Sequence, residues 1–187
     1  MTETATIEIP GYRTGTWAID PSHSEVAFSV RHMMISKVRG TFAIRNAEII
    51  APANPLEAKV TASVDVASVN TRDEGRDNHL RSADFFDAET YPTLDFVSTG
   101  VRIEGDTFLV DGDLTIHGVT KPVTFDLEFG GFGTDPWGNY KAGATATTTI
   151  NREDFGLVWN AALETGGVLV GKDVTITLDL QGALQND

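Results

Sequence analysis

Four histidines, His23, His32, His79 and His117, are the side chains best suited to chemistry near neutral pH. Their spacing argues against a shared metal. No two stand at the i, i+4 spacing of a helical site or the i, i+2 spacing of a strand site. They fall in separate segments, and no metal centre or other cofactor is expected. The chain contains no cysteine, which removes thiolate ligands and disulfides together. It also lacks a Gly-x-Ser-x-Gly elbow, a phosphate-binding loop and a dinucleotide fingerprint. Carboxylates are abundant, but most occupy the polar phase of strand-like segments. Asp20, Asp84, Asp87 and Asp154 fall in turns, where Asp commonly accepts from backbone N–H groups. No acid–base pair stands out, so no catalytic residue is assigned.

His32 is the most suggestive single residue. By alternation it shares a face with Val26, Phe28 and Val30, and Met33-Met34 follow directly. It is either a hydrogen-bonded core residue or a polar group at a cavity mouth. The methionines suit a deformable apolar site, or the tip of a mobile hairpin. Arg72, Arg76 and Arg81 gather around one short segment, and Arg152 stands at the last large turn. Guanidinium groups suit bidentate binding of phosphate or carboxylate. Asp73, Glu74, Asp77 and Asp84 offer local partners instead.

The elements that must position these groups are strands. Thr (23), Val (16) and Ile (11) are numerous among the 187 residues, and β-branched side chains favour a pleated sheet. Period-2 alternation recurs: Val26/Phe28/Val30, Val60/Val64/Val66, Leu94/Phe96, Phe108/Val110, Val123/Phe125/Leu127/Phe129 and Val174/Ile176/Leu178/Leu180. With Lys37–Ile44 and Tyr140–Ile150 this makes about eight strands, joined by hairpin-sized gaps at Gly105-Asp106 and Gly118. The pattern predicts an all-β, eight-stranded antiparallel up-and-down barrel, with a two-sheet sandwich as the alternative. Thr71-Arg72-Asp73-Glu74 matches a capping box, with Thr71 as N-cap of one short helix running to about Ser82. Ala142, Ala144 and Ala146 leave space if they face inward, unless a bulky neighbour such as a Phe fills it.

The length fits a single domain over residues 14–184 after an N-terminal tail of residues 1–13. The net charge of −13 argues against nonspecific binding to nucleic acid or to anionic membranes, which needs surplus Lys and Arg, and no nucleic-acid partner is expected. No stretch approaches the ~20 apolar residues of a membrane span, so no stable membrane insertion is expected. Met1–Pro10 carries two Glu and no basic residue, unlike a secretory leader, which makes the cytoplasm the expected compartment.

Several phrases together resemble one family. They include Trp17-Ala18-Ile19-Asp20-Pro21-Ser22-His23-Ser24, Val38-Arg39-Gly40-Thr41-Phe42 and Asn78-His79-Leu80-Arg81-Ser82-Ala83-Asp84-Phe85-Phe86-Asp87. Tyr91-Pro92-Thr93-Leu94-Asp95-Phe96, Leu114-Thr115-Ile116-His117-Gly118-Val119-Thr120-Lys121-Pro122-Val123 and Asn151-Arg152-Glu153-Asp154-Phe155-Gly156 follow in order. The chain resembles the YceI-like, or polyisoprenoid-binding, family from about Gly15 to Leu184. The resemblance implies an extended lipocalin-like barrel, a long apolar pore for an isoprenoid lipid of polyprenyl diphosphate or quinone type, and a homodimer. It implies no defined reaction.

Strand phase then nominates the pore lining as Phe28, Val30, Phe42, Phe96, Val110, Leu114 and Phe125. Loop position nominates His32, Arg81 and Arg152 for the mouth and head group, with Phe85 and Phe86 as cover. The alternatives are an enzyme acting on a hydrophobic substrate in the same cavity, and a haem or metal carrier using one His.

Overall fold

The structure is a computed structural model that describes residues 7–164 and 166–186. Ten strands form one antiparallel sheet. β1 (Gly15–Ile19) and β2 (Glu25–His32) are two halves of one leg. β3 (Ser36–Phe42) and β4 (Ile44–Ala51) are the halves of the returning leg. β5 (Lys59–Asp65), helix α1 (Glu74–Arg81), β6 (Thr93–Glu104), β7 (Thr107–Ile116), β8 (Val119–Thr134), β9 (Tyr140–Asn151) and β10 (Val170–Leu184) follow.

β1 pairs with both β4 and β10, which closes the ring. Counting each broken leg once gives the expected eight-stranded closed barrel rather than a sandwich. Its inner phase is apolar and its outer phase rich in Thr, Asp and Glu. That is the reverse of barrels that span outer membranes. No helix among the described residues is long and apolar enough to cross a membrane.

Asp20 breaks the first leg. Its carboxylate accepts from Ser22 N (2.9 Å) and Ser22 Oγ (2.7 Å) and meets His23 Nδ1 at 2.7 Å. Pro21 at the first position of this 3₁₀ turn has no N–H to leave unpaired. β10 spans the break: Asp20 N donates to Gln181 O (2.8 Å) and Gln181 N donates to Ser24 Oγ (3.0 Å).

The turns at Gly105-Asp106 and His117-Gly118 are two-residue hairpin loops, flanked by the pairs Glu104↔Thr107 and Ile116↔Val119. Gly105, His117 and Gly118 all have positive φ there.

β3 has no ladder on its far edge beyond a bridge between Thr41 and Asn70. The segment 66–73 and α1 fill that seam. Leu80 of α1 packs on a cluster of Phe42, Val64 and Val69, and Phe86 meets Phe42 edge-on at 5.6 Å.

The start of α1 differs from the expected capping box. Asp73, not Thr71, is the N-cap, and its Oδ1 accepts from Arg76 N at 2.9 Å. Thr71 is unavailable because it is buried, and its N and Oγ1 both donate to Asp77 Oδ1 (2.8 and 2.5 Å).

The described part of the expected N-terminal tail packs against the barrel. Tyr12 OH donates to Pro52 O, Tyr140 OH donates to Gly11 O, both at 2.6 Å, and Arg13 lies 3.6 Å from the Tyr140 ring centroid. Residues 1–6 of the tail lie outside the described residues.

Candidate functional site

The barrel interior is divided. A cavity of about 380 Å³ lies at the α1 end. A smaller one of about 110 Å³ lies at the end covered by Ile9 and Tyr12. Between them Phe96 and Phe125 meet edge-on at 5.3 Å. Val110, Phe125 and Ala146 form the centre of this waist, which touches Ile176 on one side and Val60, Val101 and Leu127 on the other.

Alternation builds the larger cavity. Val26, Phe28, Val30 and His32 of β2 line it, with Val38 and Phe42 opposite and Val170, Val174 and Ile176 from β10. Gly40 is the cross-strand partner of Phe28. A Cβ at Gly40 would overlap the Phe28 ring, so the missing side chain is what lets that ring lie flat on the strand. Helix α1 contributes Arg76, His79 and Leu80, the following loop Phe85 and Phe86, and the 157–169 segment Leu157, Trp159 and Leu169. Exposed Arg31 and Gly75 mark the rim.

The polar side chains on this wall differ in how they are committed. Arg152 is buried, and its guanidinium donates to four carbonyls: Leu157 O (2.5 Å), Gly171 O (2.7 Å), Trp159 O (3.0 Å) and Val170 O (3.4 Å). Burial pushes its basicity down, and the Glu153 charge partly restores it. Arg76 donates to Thr71 Oγ1 (2.8 Å) and Thr71 O (2.7 Å). His79 Nε2 meets Asp84 Oδ2 at 2.8 Å, and its ring stands edge-on to Phe85 (5.0 Å) and Trp159 (4.7 Å). The His32 ring has no hydrogen-bond partner among the described residues and faces the cavity. None of these groups is hydrogen-bonded to a second side chain in the manner of an activated nucleophile. Among the described residues no three His, Asp or Glu are placed to hold a metal.

Of the residues nominated from sequence, Phe28, Val30, His32, Phe42, Phe85, Phe86 and Arg152 line the larger cavity. Val110 lines the smaller one. Phe96 and Phe125 form the waist, and Leu114 belongs to a cluster with Ile116, Ile150, Phe155 and Leu157. These three line neither cavity. Strand phase says which way a side chain points; it does not say at which height the barrel is filled.

Arg81 is not among the side chains lining either cavity. It donates to Ala67 O (2.8 Å), Asn78 Oδ1 (2.9 Å) and Val69 O (3.2 Å), tying α1 to the preceding turn away from the cavity. Arg152 lines the cavity, but its N–H groups serve the loop carbonyls.

Sequence reasoning missed Arg76, His79, Leu80, Leu157 and Trp159 as lining. The helix is too short for a periodic apolar face, and the 157–169 segment has no period at all. Ala142 and Ala144 do leave space, in the smaller cavity, while Ala146 is buried in the waist beside Phe125.

An antiparallel barrel closed on itself, apolar inside and capped by a short helix at its larger cavity, is a lipocalin-like barrel. The chain belongs to the YceI-like family: residues 17–182 match its domain. UPF0312 proteins of Staphylococcus aureus strains MSSA476 and N315 are 42% and 41% identical over 160 residues, 84% of this chain and 91% of theirs. Burkholderia cenocepacia BcnA superposes with a TM-score of 0.74 at 25% identity, over 87% of this chain and 98% of that one. A Campylobacter jejuni YceI protein gives 0.67 at 29% identity, over 83% and 90%. A polyisoprenoid binding domain from Saccharophagus degradans, only 16% identical, shares the fold with a TM-score of 0.68 over 90% and 98%.

Proposed function

We propose that this protein binds a long-chain isoprenoid lipid, of polyprenyl diphosphate or quinone type, for storage, transport or sensing. The observation that carries this reading is the apolar cavity of about 380 Å³ inside a YceI-like barrel. A branched hydrocarbon chain matches a wall of Val, Ile, Leu and Phe. Burying several hundred Å² of apolar area at ~25 cal/mol per Å² contributes on the order of 10 kcal/mol before ordering costs. A few polar groups then suffice to fix a head. His32 is the leading candidate, because its ring is otherwise unpartnered. Arg76 and His79 are beside the same cavity, whereas the guanidinium of Arg152 is spent on backbone carbonyls and that of Arg81 on two carbonyls and Asn78. The Saccharophagus degradans domain, described as polyisoprenoid binding, has the same fold and adds support for the ligand class.

Native mass spectrometry before and after organic extraction tests the reading. A lipid-sized mass loss, restored by adding a quinone or polyprenyl diphosphate, is expected. Protein that carries no lipid and takes up neither compound would overturn it.

A further inference from the structure

The hairpin tip between β2 and β3 breaks two local rules at once. Met33 and Met34 both have positive φ (54° and 64°), and Ile35 N donates back to His32 O at 3.2 Å. This is the turn geometry that favours Asn-Gly, and methionine is poorly suited to it. The same residues are exposed: Met33 is 44% accessible, Met34 55% and Ile35 80%. Three consecutive large apolar side chains therefore project from a strained turn into solvent.

The second anomaly is electrostatic. Between Glu25 and Glu48 the chain has no Asp or Glu, although its net charge is −13. Arg31 and Lys37 are directly opposite each other across β2 and β3, and Arg39 follows on the same outer phase opposite Ser29. Like charges facing across a ladder oppose the pairing. All three side chains are exposed, and among the described residues no carboxylate forms an ion pair with them. Edge-strand cations also discourage sheet-to-sheet association, but that role needs no apolar tip.

An apolar tip flanked by unpaired cations is complementary to one kind of surface, a bilayer carrying anionic lipid. We propose that the β2–β3 hairpin docks the protein on anionic membranes, with Met33, Met34 and Ile35 entering the interface and Arg31, Lys37 and Arg39 meeting the head groups. The position adds a reason. His32 and Val38, on the opposite phase of the same two strands, line the larger cavity, so docking would set the cavity rim against the lipid surface. Met33 N donates to Leu169 O at 2.7 Å, which ties the tip to the segment that forms the facing wall of that cavity. Docking stands on the tip alone and does not require the ligand to be an isoprenoid.

Flotation of the full chain with vesicles tests it, comparing phosphatidylcholine alone with phosphatidylcholine plus phosphatidylglycerol. Binding to the anionic vesicles only, weakened by salt, is expected. Lys37→Gln with Arg39→Gln should lower the partition coefficient by about fivefold per cation, roughly 25-fold in all. Met33→Asn with Met34→Gly should also lower it, while raising the unfolding midpoint by about 3–6 °C because the turn strain is relieved. That combination separates docking from a folding defect. Quinone uptake by both variants should match the parent, which separates a failure here from a failure of the ligand reading. Protein that never floats, floats equally with neutral vesicles, or floats undiminished in the cation variant would overturn the proposal.

Discussion

Arg152 works as a strut. It hydrogen-bonds to four carbonyls and to no carboxylate among the described residues, so its charge is stabilised by backbone dipoles of the 157–171 segment. A lysine has one point of donation and cannot span those oxygens. Arg152→Lys should destabilise by about 2–4 kcal/mol, because the buried Leu157 carbonyl bond and the part-buried bonds to Trp159 and Gly171 cannot all be kept. Urea unfolding would measure it, and protease cutting in 157–171 should become faster. Gly40 is the other residue with a single physical reason. Gly40→Ala forces the Phe28 ring and the Thr71 methyl to move, an overpacking cost of about 1–3 kcal/mol. The displaced ring has only the cavity to enter. Ligand uptake should fall more than stability does, which a titration with quinone alongside a thermal melt would show.

At the scale of elements, the kink between β1 and β2 depends on an ionised carboxylate. Hydrogen bonds from Ser22 and contact with His23 hold the Asp20 carboxyl well below its usual range. Arg102 and Thr124 do the same for Asp111, and Asn139 for Asp135. Each folded-state value lies below the unfolded one. The stabilisation is therefore complete above the ordinary Asp value of about 3.9 and is lost as pH falls through the folded values. The unfolding midpoint should drop on acidification below about pH 4. Asp20→Asn should lower the midpoint at neutral pH and flatten the acid fall; an unchanged acid limb would count against the kink.

Alternation made the strands and their inner faces legible, because a half-buried strand imposes a period of two on every residue. Phe28, Val30, His32 and Phe42 were found this way. The waist was not, since Phe96 and Phe125 obey the same period as the cavity lining. The N-cap went to Asp73 because Thr71, two residues earlier and equally capable of capping, is held by Asp77, a tertiary preference no local motif carries. Leu157 and Trp159 lie in a segment without regular structure, where only the closed barrel says that they face inward.

For the whole molecule, the waist decides how long a chain the barrel admits. Phe125→Ala should join the two cavities at a stability cost of about 3–5 kcal/mol. Isoprenoids of increasing length, compared by native mass spectrometry, should then show a longer preferred ligand than the parent accepts. The outer charge serves a different end. Asp126 and Asp179 are exposed on the solvent phase, and replacing both with Asn should lower solubility while leaving uptake intact.

The unpaired far edge of β3 also makes the barrel's strength uneven. Its ten strand pairings are backbone ladders, but the seam beside β3 is closed by the single Thr41–Asn70 bridge and by side chains of α1 and the 66–73 segment. Only that bridge and side-chain packing need let go there, while the ladders of the ring stay paired. The molecule should open sideways there, like a clasp, well below its global unfolding free energy. Amide hydrogen exchange would then run in a fixed order, with α1 and β3 exchanging first and the amides of β7, β8 and β9 last.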